Sequence, residues 1–217
     1  LSFTVLKTVK ESLDYFPNLE VITIFAEGVP ERHALKLGLY AKKKKVVIIG
    51  PASIGLLVPA SVKLGAIAGV EPMQLERAKV YDPGKVAVFS ASGGMTNEII
   101  NAVVQHGGRI SFSFSIGGDR FPVFTPKEAF LSAESDKNTE LIIYYGELGG
   151  YDEYDLIELK NSGKLTKPVI VYIAGTVADM FDESPQFGHA KAKAEFKKES
   201  ALEKRKALKK AGFIVPD

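Results

Sequence analysis

The 217 residues carry 28 lysines and arginines against 26 acidic residues, a formal net charge of +2, so nothing in the charge balance argues for a nucleic-acid partner. No residue is Cys, which excludes disulfides and thiolate metal sites, and 46 % are hydrophobic, enough for a substantial core. No signal peptide and no bilayer-length apolar run is seen; a cytoplasmic protein without a membrane is expected.

In chain order, residues 1–18 place Val5, Leu6, Val9, Leu13 and Phe16 at helical spacing. The β-branched run Leu19 to Phe25 predicts a buried strand ending at Ala26-Glu27-Gly28-Val29-Pro30. A helix follows from Glu31 to Lys43, closed by the run Lys42 to Lys45, a solvated helix end. Val46 to Ile49 is the next strand. These units predict the back half of a Rossmann-like domain over residues 1–72, whose front half lies outside this sequence. Neither GxGxxG nor a P-loop is present, so no dinucleotide or P-loop reading is available. Residues 51–84, with prolines at 51, 59, 72 and 83, read as an inter-domain connection, with 73–84 as the linker proper.

A second domain is expected over 85–217. Its strands are predicted at Lys85 to Phe89, Arg109 to Ile116, Glu140 to Tyr145, Pro168 to Ile173 and Phe213 to Val215. Helices are predicted at Thr96 to Gln105, Pro126 to Glu134, Tyr154 to Lys160 and Lys191 to Lys210, the last with a narrow stripe of Phe196, Ala201, Leu202 and Leu208. The alternation predicts a flavodoxin-like, doubly wound parallel sheet, in which ligands collect at the carboxyl ends of the strands. Glycine-bearing turns stand at those ends: Ser92-Gly93-Gly94, Gly117-Gly118-Asp119, Gly146 to Gly150 and Gly175.

Four groups in these turns carry chemistry. His189, in Gln186-Phe187-Gly188-His189-Ala190, follows a buried strand, and an imidazole there can take a phosphoryl group. Ser92, Gly93 and Gly94 open a helix; they can cradle a phosphate on free N–H groups, or form an ordinary N-cap through Ser92 or Thr96. Glu147 can accept from an imidazole N–H and fix its tautomer, or be a solvated turn carboxylate; no second ligand is spaced to make it a metal site. Arg120 can clamp a carboxylate or phosphate, or form a surface ion pair. His33 and His106 lack supporting neighbours.

As a set the motifs resemble the α-subunit side of the succinyl-CoA synthetase superfamily, and more closely the matching part of ATP-citrate lyase and citryl-CoA synthetase. The resemblance rests on Ser92-Gly93-Gly94-Met95-Thr96-Asn97-Glu98, Gly117-Gly118-Asp119-Arg120-Phe121-Pro122, Gly146-Glu147-Leu148-Gly149-Gly150, Gly163-Lys164-Leu165-Thr166-Lys167-Pro168 and Gln186-Phe187-Gly188-His189-Ala190. Upstream, Ala26 to Pro30 and Ile49-Gly50-Pro51-Ala52 match the CoA-binding half, so nearly the whole chain is covered in order.

The resemblance implies that His189 is phosphorylated, that Ser92, Gly93 and Gly94 hold the phosphate, and that Glu147 is the histidine's carboxylate partner. It implies CoA contacts at Ala26, Glu27 and Gly28. ATP and Mg2+ would bind an ATP-grasp β-type subunit, with citrate as the acid and a citryl-CoA lyase module as a further partner. Asn97, where succinate-using relatives carry Tyr, and Arg120 side with citrate and are expected to contact it. The implied activity is an acid–thiol ligase forming citryl-CoA; succinyl-CoA or other acyl-CoA synthesis, or a non-catalytic subunit, are the alternatives. The chain departs from the pattern at Ala91, usually Arg, at Lys191, usually Gly, and after Pro122.

Overall fold

The computed structural model describes residues 1–216. The amino-terminal lobe is α1 (Val5–Tyr15), β1 (Val21–Thr23), α2 (Glu31–Lys44) and β2 (Val47–Ile49). The two strands run parallel, with Val21 opposite Val47 and Thr23 opposite Ile49. This βαβ unit is Rossmann-like. α1 buries Val9 and Leu13, four residues apart, and α2 buries Ala34 and Leu37; with the exception of Ala34 they meet Ile24, Val29, Val46 and Ile48 in one core. α2 stops where Lys45 turns left-handed at φ 56°, and Lys42, Lys43 and Lys44 sit at its negative end.

The stretch expected as a connection is built into the main sheet instead. β3 (Gly55–Val58) and β4 (Val62–Gly65) form an antiparallel hairpin, and β3 pairs with the second parallel strand of the following unit. Glycine permits this tight pairing: Gly55 has φ +126°, and a Cβ there would stand 1.8 Å from the Leu64 carbonyl oxygen. α3 (Pro72–Arg77), opened by a capping box from Glu71 and Gln74, starts at the boundary of the expected linker and occupies its first residues.

The rest is β5 (Val86–Ser90), α4 (Gly93–Gln105), β6 (Ile110–Ser115), α5 (Pro126–Ser135), β7 (Leu141–Glu147), α6 (Asp152–Asn161), β8 (Val169–Ala174) and α7 (Ala201–Lys210). The sheet order is β4-β3-β6-β5-β7-β8, with β6, β5, β7 and β8 mutually parallel. The expected last strand is a single parallel bridge, Ile214 beside Ile170. With it, the parallel part has the flavodoxin order, and the winding reverses at β5. Alternate residues divide the core. Ala87, Phe89, Ile142 and Tyr144 meet Phe130 of α5, Leu156 of α6 and Leu208 of α7. Val88 and Ile143 join Ile100 of α4 and Leu57 of the hairpin.

Two helix boundaries differ from expectation. α4 starts at Gly93, not Thr96, because Ser92 caps it by accepting from the Met95 N–H at 3.4 Å. The helix expected from Lys191 begins only at Ala201. The Glu199 carboxylate accepts from the N–H groups of Glu195 and Phe196, at 2.7 and 3.2 Å, and Gly149 donates its N–H to the Glu199 carbonyl at 2.8 Å. These bonds hold 191–199 against the end of β7. Its stripe also differs: Ala201, Lys204 and Leu208 are buried, while Phe196 and Leu202 are exposed.

Candidate active site

Three neighbouring strands deliver their carboxyl ends to one place. Ile116 donates its N–H to the Ser90 carbonyl at 2.8 Å, and Ala91 donates to the Tyr145 carbonyl at 3.0 Å, so the turns after β5, β6 and β7 stand side by side. Gly117, at φ +103°, passes under the exit of the amino-terminal lobe: a Cβ on it would be 1.8 Å from the Pro51 carbonyl oxygen. The buried Asp119 carboxylate accepts from the N–H groups of Gly28 and Val29, at 3.2 and 3.1 Å. One carboxylate thus fastens the 26–30 loop to the main sheet.

His189 comes to this edge on the loop after β8. Gln186 Nε2 donates to the His189 carbonyl at 2.5 Å, Ala192 donates its N–H to the same oxygen at 3.0 Å, and Lys191 donates its N–H to the Gly118 carbonyl at 3.2 Å. The imidazole Nδ1 lies 2.8 Å from Glu147 Oε2. Hydrogen bonding to that carboxylate raises the imidazole pKa above its ordinary value; partial burial opposes it, and the charges of Glu147, Glu27 and Asp119 reinforce it. The other Glu147 oxygen, Oε1, is buried with no hydrogen-bond partner among the described residues. His189, Gly118 and Asp119 share a cleft of about 380 Å³ with Glu27, Gly28 and Ala52 of the facing loops.

Below the histidine lies a buried charge network. Lys204 of α7 is fully buried, and its ammonium donates to the Glu147 carbonyl at 2.9 Å, the Gly149 carbonyl at 2.6 Å and Glu153 Oε2 at 2.6 Å. Those three bonds use all of its donors. Tyr144 donates its hydroxyl to Glu153 Oε1 at 3.1 Å, and burial together with the Glu153 charge pushes that phenol well above its ordinary range. Lys191 is buried and paired with Asp152. Burial alone would lower its pKa, but Glu153, Asp152 and Glu147 outweigh it and hold the ammonium above its ordinary value. Removing one member of the Lys204–Glu153 pair would strand the other charge, at a cost of about 3–5 kcal/mol.

The expected site residues therefore divide. His189, Glu147, Glu27 and Gly28 come together. Ala26 supports the same loop through its carbonyl, which accepts from the Ala52 N–H at 3.0 Å. Ser92, Gly93 and Gly94 form a capped helix start at the same sheet edge; among the described residues no hydrogen bond joins them to His189 or Glu147. Asn97 lies a helical turn further on, with both ends of its amide engaged: Oδ1 accepts from the Ala68 N–H at 2.7 Å and Nδ2 donates to the Ala66 carbonyl at 3.3 Å. Arg120 is half-exposed and paired with Glu195 at 3.3 Å and Glu31 at 4.0 Å. Lys204 and Glu153 escaped sequence reasoning, although Lys204 stands three residues after Ala201 and four before Leu208, on the apolar face of α7. Among the described residues no group of three or more His, Cys, Asp or Glu is placed to hold a metal ion, and no helix is long and apolar enough to cross a membrane.

Comparison with known proteins shows the family and the fold. A family described as CoA-ligase matches residues 89–214. The chain is 39 % identical over 216 residues to a probable ATP-citrate synthase subunit 1 of Neurospora crassa, covering 100 % of this chain and 32 % of that protein. It is 41 % identical over 200 residues to the ATP-citrate synthase beta chain protein 1 of Arabidopsis thaliana, covering 92 % of this chain and 33 % of that one. Among solved structures, the ATP citrate lyase of Methanothrix soehngenii in complex with citrate and coenzyme A superposes with a TM-score of 0.93 at 36 % identity, over 98 % of this chain and 34 % of that chain. The chain thus spans about a third of the length of the relatives it matches. The matched residues run from the end of β5 through α7 and hold Ser92, Glu147, His189 and Lys204, so the chain belongs to the CoA-ligase family.

Proposed function

We propose that the protein of which this chain forms part makes citryl-CoA from citrate, CoA and ATP, with His189 as the phosphoryl carrier. The observation that carries the reading is the 2.8 Å contact between His189 Nδ1 and Glu147 Oε2. With its Nδ1–H donated to the carboxylate, the ring keeps its lone pair on Nε2, which has no hydrogen-bond partner among the described residues. Nε2 takes the terminal phosphoryl group of ATP held by an ATP-grasp partner subunit, where Mg2+ also binds, and ADP leaves. Glu147 offsets the positive charge that the ring acquires. Nε2 then releases the phosphoryl group to a citrate carboxylate, and the thiolate of CoA displaces phosphate from the mixed anhydride. The work of the protein is positioning and charge compensation, as phosphoryl transfer requires.

CoA fits the facing loop. Glu27 and Gly28 wall the cleft, and a Cβ on Gly28 would meet nothing within 4 Å, so a ligand has room beside that backbone. Ser92, Gly93 and Gly94 offer the helix start where a phosphate leaving His189 can rest, with the dipole of α4 behind them. The choice of citrate is supported by the relatives named above and by the citrate complex. Arg120, with its ion pairs opened, would offer a guanidinium to one carboxylate; Asn97 would act from behind the site, through the 66–68 turn that it holds. A citryl-CoA lyase module, where present, would cleave the product.

Purified with its ATP-binding partner and given ATP labelled on the terminal phosphate, the intact enzyme should carry acid-labile label on His189. His189→Ala should carry none; full labelling of that variant would overturn the assignment. Phosphate release dependent on CoA should be faster with citrate than with succinate, and the opposite order would make the protein a succinyl-CoA synthetase instead.

A further inference from the structure

We propose that Lys204 is a positioning residue for the histidine site, holding the Glu147–Gly149 turn so that the Glu147 carboxylate is aimed at His189 Nδ1. Its kinetic consequence rests on the reading of His189 as the phosphoryl carrier; its geometric consequence does not.

The argument begins with the turn. After Glu147 the chain must leave β7 and enter α6 within five residues, through Leu148, Gly149, Gly150 and Tyr151. Gly149 and Gly150 are both left-handed, at φ +87° and +65°, so the backbone has little intrinsic preference for this path. The carbonyls of Glu147 and Gly149 point into the protein, where water cannot solvate them. Lys204 Nζ satisfies both, at 2.9 and 2.6 Å. A Glu147 carbonyl fixed on the inner side places the Glu147 side chain at the sheet edge, where Oε2 meets the imidazole. No other side chain among the described residues donates to either carbonyl.

The ammonium also answers charge. Glu147, Asp152 and Glu153 converge here from β7 and α6, with Tyr144 and Tyr145 on β7, Glu27 and Asp119 across the cleft, Lys191 on the histidine loop and Lys204 on α7. Without Lys204, Glu153 would lose its hydrogen-bonded cation and keep only the more distant Lys191, so the carboxylates under His189 would repel one another more strongly and move Glu147 away from its aim. A buried ammonium must satisfy all three of its donors, and the partners chosen here are what matter. This one straddles two carbonyls of the turn that carries the histidine's partner.

The test uses the intact enzyme with its ATP-binding partner. Lys204→Met alone strands Glu153 and can fail to fold, so Lys204→Met/Glu153→Gln, which removes both charges, is the variant to read. Circular dichroism and CoA binding first confirm that it is folded. The decisive measurement is the pH dependence of His189 carbethoxylation by diethyl pyrocarbonate, followed on its own peptide by mass spectrometry. That reagent attacks the neutral ring, so the midpoint reports how firmly Glu147 holds the proton. The midpoint should move to lower pH in the double variant, and phosphohistidine formation should slow by about tenfold to a hundredfold with the KM for ATP unchanged. A folded double variant with the parental midpoint overturns the proposal. If the parent enzyme takes no label from ATP, the phosphoryl-carrier reading falls by itself, and the carbethoxylation midpoint still decides the role of Lys204.

Discussion

Gly118 and His189 share one space: a Cβ built on Gly118 would lie 2.3 Å from Cγ of the imidazole and 2.6 Å from both Nδ1 and Cδ2. The ring packs against bare backbone, and the absence of a side chain at 118 is what lets it come within reach of Glu147. Gly118→Ala should therefore displace the ring while leaving the sheet intact. The expected result is a fall of about a hundredfold in phosphohistidine formation. Stability should fall by no more than about 1–3 kcal/mol. Labelling kinetics and a thermal melt on the same sample check both.

Glu147→Gln keeps the shape and removes the charge. Phosphohistidine formation should slow by about a hundredfold or more. The stability effect has a defined sign. The folded-state pKa of His189 is raised above its ordinary 6.5, so the pairing stabilises the fold fully below that value and is lost as the pH climbs through the raised one. Melting temperatures of the parent and Glu147→Gln should therefore differ most below the ordinary imidazole value and converge as the pH rises through the raised one. A gap that widens with pH would contradict the assignment of the proton to this pair.

Asp119 ties the amino-terminal lobe to the site through two backbone bonds. Asp119→Ala frees the N–H groups of Gly28 and Val29 and lets the 26–30 loop drift. CoA affinity, measured by calorimetry on the intact enzyme, should weaken by about tenfold. Labelling from ATP, which needs no CoA, should change far less.

Asn97 gives a contrasting outcome. Its amide joins α4 to the turn at residues 66–68, so Asn97→Leu should lower stability by about 1–3 kcal/mol. Discrimination between citrate and succinate should shift only slightly, because the amide does not face the cleft directly. A large switch toward succinate with an unchanged melting temperature would show that Asn97 reads the acid itself.

The parallel sheet was legible because β5, β7 and β8 are short β-branched or aromatic runs closed by glycine turns, and buried strands of that kind have little else they can be. His189 and Glu147 were legible as types of residue at strand ends, and their pairing as a family resemblance. The hairpin at 55–65 was not: each strand is four residues long, bounded by glycine and flanked by prolines that signal a loop, and only tertiary pairing with β6 makes it sheet. The start of α4 was open in the sequence between Ser92 and Thr96 because two glycines are poor helix formers; the Ser92 cap and the packing of Ile100 outweigh that cost. The late start of α7 was hidden because Lys191 to Ser200 has helical composition, and the bonds from Gly149 and Glu199 that unwind it come from far along the chain or from an irregular turn. Lys204 was hidden for a related reason. In a helix with so many lysines, one on the buried face differs from its neighbours only by where it falls in the turn.

The β3–β4 hairpin carries one more consequence. Residues 55–65 leave the amino-terminal lobe and lie down beside β6, and Leu57, Ile67 and Val80 complete the core beneath α4. A truncated protein starting at residue 85 would keep the histidine, its carboxylate and their lysine, yet would lose that cover, baring a naked strand flank and the greasy underside of a helix. Such a piece should aggregate rather than stand alone, so the hairpin belongs to the folding unit of the parallel sheet and is not a detachable tether.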